Sequence, residues 1–158
     1  MKTLLIAILS LFTAAGVTLA GVADRLTGGT WRDLVTITAD DDEEITLRVA
    51  AVYKRYRKTG IESVTTIRAS SGVRVVETLR YKPNGLVYGE TKRNGVIVAY
   101  TFGEWWTSKR MLSGSLKSVG PGGRGKYVSR ILLTSDNRLT ISNKKPGGEL
   151  SISSMKRR

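Results

Sequence analysis

The run Val73-Arg74-Val75-Val76-Glu77-Thr78-Leu79-Arg80-Tyr81-Lys82, the Pro83-Asn84-Gly85 that follows it, then Leu86 to Thr91, Asn94-Gly95 and Val96 to Phe102 decide the fold. In the first segment Val73, Val75, Leu79 and Tyr81 share one face. Arg74, Thr78, Arg80 and Lys82 share the other, with Val76 and Glu77 as exceptions. Period two is the mark of a half-buried strand. Pro83 presets a turn and Gly85 tolerates positive φ. Asn94-Gly95 is the strongest two-residue hairpin signal in the chain. The third segment is apolar on both faces, which predicts a strand held more fully against the core. Trp105-Trp106 extends it or opens the next segment.

The C-terminal third reads the same way. Gly120 to Gly125 is a loop, Tyr127 to Thr134 a strand, Ser135-Asp136-Asn137-Arg138 a turn, and Leu139 to Ser142 a strand. Lys144 to Gly148 is another turn, and Leu150 to Met155 the last strand. Short strands at intervals of about 8–12 residues point to a sandwich or barrel. Asp42 to Thr59 is open to two readings. Ile45, Val49, Val52, Tyr53 and Tyr56 approximate helical spacing, with acids at the start, bases at the end and Gly60 after. Ile45, Leu47, Val49, Ala51 and Tyr53 also alternate, and the β character of the rest of the chain favours a strand.

Residues 1–20 stand apart. Lys2, the apolar run Leu4 to Phe12 and the small residues of Thr18-Leu19-Ala20 have the plan of a secretory signal peptide cleaved after Ala20. The apolar run is shorter than the ~20 residues that span a bilayer. The expected organisation is therefore a signal peptide, 1–20, and one domain, 21–158, exported to the periplasm or exterior and without a transmembrane span after cleavage.

The chain has 158 residues, no cysteine, no histidine, and 26 Lys+Arg against 13 Asp+Glu. Disulfides, Cys-based zinc or iron–sulfur sites, Ser-His-Asp triads and imidazole bases are excluded. The charge is uneven. Residues 1–44 carry 3 basic and 7 acidic residues, whereas 45–158 carry 23 and 6. Asp40-Asp41-Asp42-Glu43-Glu44 lacks the spacing and central glycine of an EF-hand loop and reads as a solvated turn or helix start. No metal site and no cofactor are expected. Gly120, Gly122 and Gly125 satisfy G-x-G-x-x-G, but the β run Lys126-Tyr127-Val128 follows where a dinucleotide site needs a helix. A hairpin loop is expected there. Glu77 and Glu104 interrupt apolar patterns, which predicts inward carboxylates paired with an inward Arg or Tyr.

Gly29-Thr30-Trp31 heads the first apolar run after residue 20. Tyr81 to Gly85, then Gly103-Glu104-Trp105, then Leu112-Ser113-Gly114 follow a tyrosine–turn–glycine, G-x-W, L-x-G order. Ile131 to Ile141 and the closing Lys156-Arg157-Arg158 form a last hairpin and basic terminus. Together these resemble the lipocalin-like (calycin) barrels of small exported bacterial proteins. The resemblance implies an all-β, antiparallel, up-and-down barrel of about 8–9 strands. It also implies that Arg157 or Arg158 packs across Trp31 near the closed end.

The expected function is non-enzymatic binding of a small apolar or amphipathic ligand inside the barrel, lined by Trp31, Tyr53, Tyr81, Tyr88, Tyr100 and Trp105. The alternative is a basic surface module binding an anionic polysaccharide, lipopolysaccharide or lipid of the cell envelope. Lys54, Arg55, Arg57 and Lys58 are the densest cluster for it. A monomer is expected, with no nucleic-acid partner.

Overall fold

The computed structural model describes residues 22–38, 44–57, 60–108, 110–148 and 150–158. Residues 1–20, expected to be a signal peptide, Asp40 to Glu43 and Lys58 lie outside them. Ten strands form: β1 Thr30–Thr38, β2 Glu44–Tyr56, β3 Gly60–Ala69, β4 Arg74–Tyr81, β5 Leu86–Arg93, β6 Val96–Ser108, β7 Met111–Val119, β8 Gly125–Ser135, β9 Arg138–Lys144 and β10 Leu150–Arg157. Each pairs antiparallel with its sequence neighbour, and β1 closes on β10. The seam is short: Trp31 and Arg32 register with Arg157 and Lys156. Beyond that pairing Ser153 Oγ donates to Asp33 Oδ2 at 2.8 Å and bridges the two strands.

The count is ten, not the eight or nine expected, because β3 and β7 carry little hydrophobic alternation. The buried positions of β3 include Ser63, and those of β7 include Ser113, Gly114 and Ser118. Segment 44–56 is a strand throughout, and its helical reading is overturned. Asn94 and Gly95 both take positive φ, 50° and 87°, as a two-residue hairpin of this kind requires. The glycine-rich loop joins β7 to β8 as a hairpin connection.

Strand β6 corrects a second expectation. From Ala99 onward its odd residues Ala99, Thr101 and Trp105 are buried, while Tyr100, Phe102 and Trp106 face outward. A register shift opposite Thr91/Lys92 leaves Val96 and Ile97 exposed as well. Apolarity on both faces was therefore not evidence of burial on both faces. Glu104 also points outward, so only Glu77 is the inward carboxylate foreseen.

The start of β1, the end of β10 and the β2–β3, β4–β5, β6–β7 and β8–β9 connections lie at one end of the barrel. A helical turn at 22–26 plugs this end, with Val22, Ala23 and Leu26 buried completely among Trp31, Ile61, Leu139 and Met155. The Trp31 indole N–H donates to the Leu26 carbonyl at 3.1 Å. Arg157 crosses the ring, its Cζ 4.7 Å from the centroid, and donates to the carbonyls of Arg25 and Thr27. Gly29 leaves room for this contact: a Cβ there would lie 3.1 Å from Arg157 Cγ and press on the arginine side chain. The G-x-W motif and the late arginine thus form one lock.

Candidate binding cavity

Above the plug the barrel is not filled. A cavity of about 330 Å³ opens toward the end that carries the β3–β4, β5–β6 and β7–β8 connections. Its walls are partly small and polar, Ser63, Thr65 and Ser129, and partly aliphatic, Val49, Leu79 and Ile131. The short inward side chains of β3 make the room. With Leu or Phe at those positions the interior would close, as in small barrels whose side chains fill the lumen.

Three tyrosines reach it: Tyr53 from β2, Tyr81 from β4 and Tyr127 from β8. Tyr81 meets Trp105 edge to face, with centroids 5.7 Å apart and planes at 81°. The Trp105 indole N–H donates to the Lys82 carbonyl at 2.8 Å, and its backbone N–H to the Gly85 carbonyl at 2.8 Å. The tryptophan of the second G-x-W therefore ties the β4–β5 turn to β6 and backs the ring that lines the cavity.

Charge enters at one place. Glu77 lines the cavity, and Arg124, from the β7–β8 loop, stands with Nη2 3.5 Å from Glu77 Oε2. Its Cζ lies 5.7 Å from the Tyr127 ring. Burial raises the Tyr53, Tyr81 and Tyr127 hydroxyl pKa values, and the negative Glu77 adds to each. Tyr127 is pushed up to about 12. All three are neutral hydrogen-bonding groups at ordinary pH. The Tyr127 hydroxyl and Thr101 Oγ1 are buried and make no close hydrogen bond among the described residues, although Thr101 and Arg124 lie near enough to the hydroxyl to oppose part of the rise in its pKa.

Of the six aromatics expected to line a ligand site, Tyr53 and Tyr81 do so. Trp31 belongs to the plug and Trp105 lies behind Tyr81. Tyr88 and Tyr100 are on the outer face, Tyr100 at 56% exposure. Tyr88 bonds Tyr56 hydroxyl to hydroxyl at 2.7 Å, which lowers the Tyr56 pKa and raises its own. Arg80 lies over both rings and is held by Glu62 at 2.7 Å, a bond that raises its pKa. The residues missed were Tyr127 and Arg124. The first was legible as an inward position of an alternating strand. The second sits in a loop and has no periodic signal.

The basic run at 54–57 does not form one face. Lys54 points outward, Arg55 is ion-paired with Asp24 beside the plug, and Arg57 lies over Tyr56 at 5.5 Å. The strand geometry sends adjacent residues to opposite sides, so density in sequence is not density in space.

Fold and cavity define a closed antiparallel β-barrel with an internal, polar-tipped pocket. No protein-family model matches the chain, and no curated protein does. Among solved structures a redesigned β-barrel, mFAP1, bound to DFHBI, matches at 14% sequence identity and a TM-score of 0.41, over 87% of this chain and 99% of that one. No helix among the described residues is long and apolar enough to cross a membrane.

Proposed function

We propose that this is an exported, lipocalin-like, non-enzymatic carrier or sensor of a small amphipathic molecule. The observation that carries the reading is the unfilled barrel interior, about 330 Å³, with aliphatic walls broken by Ser63, Thr65 and Ser129, the charged pair Glu77 and Arg124, and Tyr127 beside them. That size is at the small end of ligand pockets, which run from about 300 to 1,000 Å³. An apolar body would lie against Val49, Leu79 and Ile131, and a polar head would meet Arg124 and Tyr127. The arginine that crosses Trp31 supports the lipocalin-like assignment, since that resemblance implies such a contact.

The test is a fluorescence titration with anilinonaphthalene sulfonate, followed by displacement with short fatty acids and with aromatic acids. Binding raises dye emission, shifts Trp105 emission through Tyr81, and varies little with salt. Leu79→Trp, which pushes a larger ring into the cavity where the apolar body would lie, weakens it. A dye response undiminished in Leu79→Trp, or no response to any probe, sinks the proposal.

A further inference from the structure

The outer surface of β9, β10, β1, β2, β3 and β4 carries cations that face each other across the strands. Arg48 registers with Arg68, and Arg68 with Arg74, so three arginines form one row across β2, β3 and β4. Arg138 registers with Lys156, and Lys156 with Arg32, giving a second row across β9, β10 and β1. All six are exposed, and none forms an ion pair among the described residues. Like charges directly opposite one another on a sheet repel and destabilise it. A sheet that places three in succession, twice, gains nothing for its own folding from doing so.

The rows flank a recess. A groove of about 770 Å³ is bordered by Arg32, Arg48, Arg68, Lys156 and Arg158, and a second of about 320 Å³ continues it past Arg48 and Arg68 to Thr46 and Ser70. The acid in the groove, Asp33, accepts from Ser153. Guanidinium groups suit forked contacts to carboxylate and sulfate oxygens.

We infer that this track binds a linear acidic polysaccharide, through its carboxylate or sulfate groups. Three observations choose that partner. The track is longer than one oxyanion needs. It is concave, so a flat bilayer does not reach its floor. Neither groove is lined by an aromatic side chain on which a nucleic-acid base would stack. Of the track's lining residues only Val49 is shared with the cavity, and none belongs to 54–57.

The test uses heparin as the probe, with single-stranded DNA of matched charge and phosphatidylglycerol vesicles as competitors, across a salt series. Heparin binds best, and affinity falls steeply with salt. The triple variant Arg32→Gln/Arg48→Gln/Arg68→Gln loses about tenfold or more in affinity and flattens the salt slope. Lys117→Gln/Lys126→Gln/Arg130→Gln, an equal change of charge on β7 and β8, stays within about twofold. A thermal melt no lower than that of the parent shows that the first variant is folded. Equal losses in the two triples, tighter binding of DNA or vesicles, or no heparin binding overturns the inference.

Discussion

Arg157 lies across Trp31, guanidinium carbon 4.7 Å from the ring centroid, while the indole N–H holds the Leu26 carbonyl at 3.1 Å. Residues from the two ends of the described chain thus lock the short β1–β10 seam and the plug together. Arg157→Ala removes a cation–π contact and two carbonyl bonds. A loss of about 2–3 kcal/mol is expected by urea unfolding, with Arg157→Lys restoring only part because an ammonium lacks the planar fork. A change below about 0.5 kcal/mol would mean that the seam closes without the lock.

Tyr127 separates stability from binding. Its hydroxyl is buried and makes no close hydrogen bond among the described residues, so Tyr127→Phe removes a desolvated group at little cost in packing. Stability is expected unchanged or higher by up to about 1 kcal/mol. Affinity for a polar-headed probe is expected to fall about five- to tenfold, the loss of one hydrogen bond. Lower stability with unchanged affinity would count against the cavity as a ligand site.

The pH dependence follows from residues present and absent. Without histidine or cysteine, no side chain titrates by its ordinary pKa between about pH 6 and 8, and stability should be flat there. Tyr53, Tyr81 and Tyr127 have folded pKa values raised above about 10, their unfolded value. The unfolded chain releases those protons first. Their contribution is therefore complete below about pH 10 and declines as pH rises from 10 through the folded values, by about 1.4 kcal/mol per pH unit per tyrosine. Tyrosinate absorbance should show a late step coincident with unfolding. Full ionisation near pH 10 in the folded protein would contradict their burial.

At Gly103, β6 and β7 lie too close for a side chain on this face. A Cβ there would sit 2.1 Å from the Ser115 carbonyl oxygen and 2.9 Å from Leu116 Cα, both backbone atoms that cannot move alone. Gly103→Ala should cost about 2–4 kcal/mol, comparable with overpacking or backbone strain in a core. A calorimetric melt is sufficient to measure it, and a shift smaller than about 2 °C would disprove the close approach.

Tyr100 provides the opposite case. It lies in a segment whose sequence is apolar on both faces, yet it faces solvent. Tyr100→Ser should stay within about 0.5 kcal/mol of the parent in denaturant unfolding. A core-sized loss would restore the reading of β6 as buried on both faces.

The β class, the hairpins at Asn94-Gly95 and at Pro83 to Gly85, and the loop character of Gly120 to Gly125 were legible because they depend on local φ preferences and period two. Strands β3 and β7 were not, because Ser and Gly stand at positions where an alternation would show Val or Leu. The same small residues on β3 leave the cavity open. What hid the strand is what makes the site.

By itself, the amino-acid sequence determined that this is an antiparallel β protein, that it works without thiol or imidazole, and that Glu77 interrupts an inward apolar face; that a late arginine would meet Trp31 came from the lipocalin-like resemblance. Only the tertiary structure decided that ten strands close, that Tyr53, Tyr81, Tyr127, Glu77 and Arg124 converge, and that Arg48, Arg68 and Arg74 form a row. The reason is physical. Side-chain period reports which face a residue takes, but register between strands fixes which residues meet, and register depends on pairings far apart in the chain.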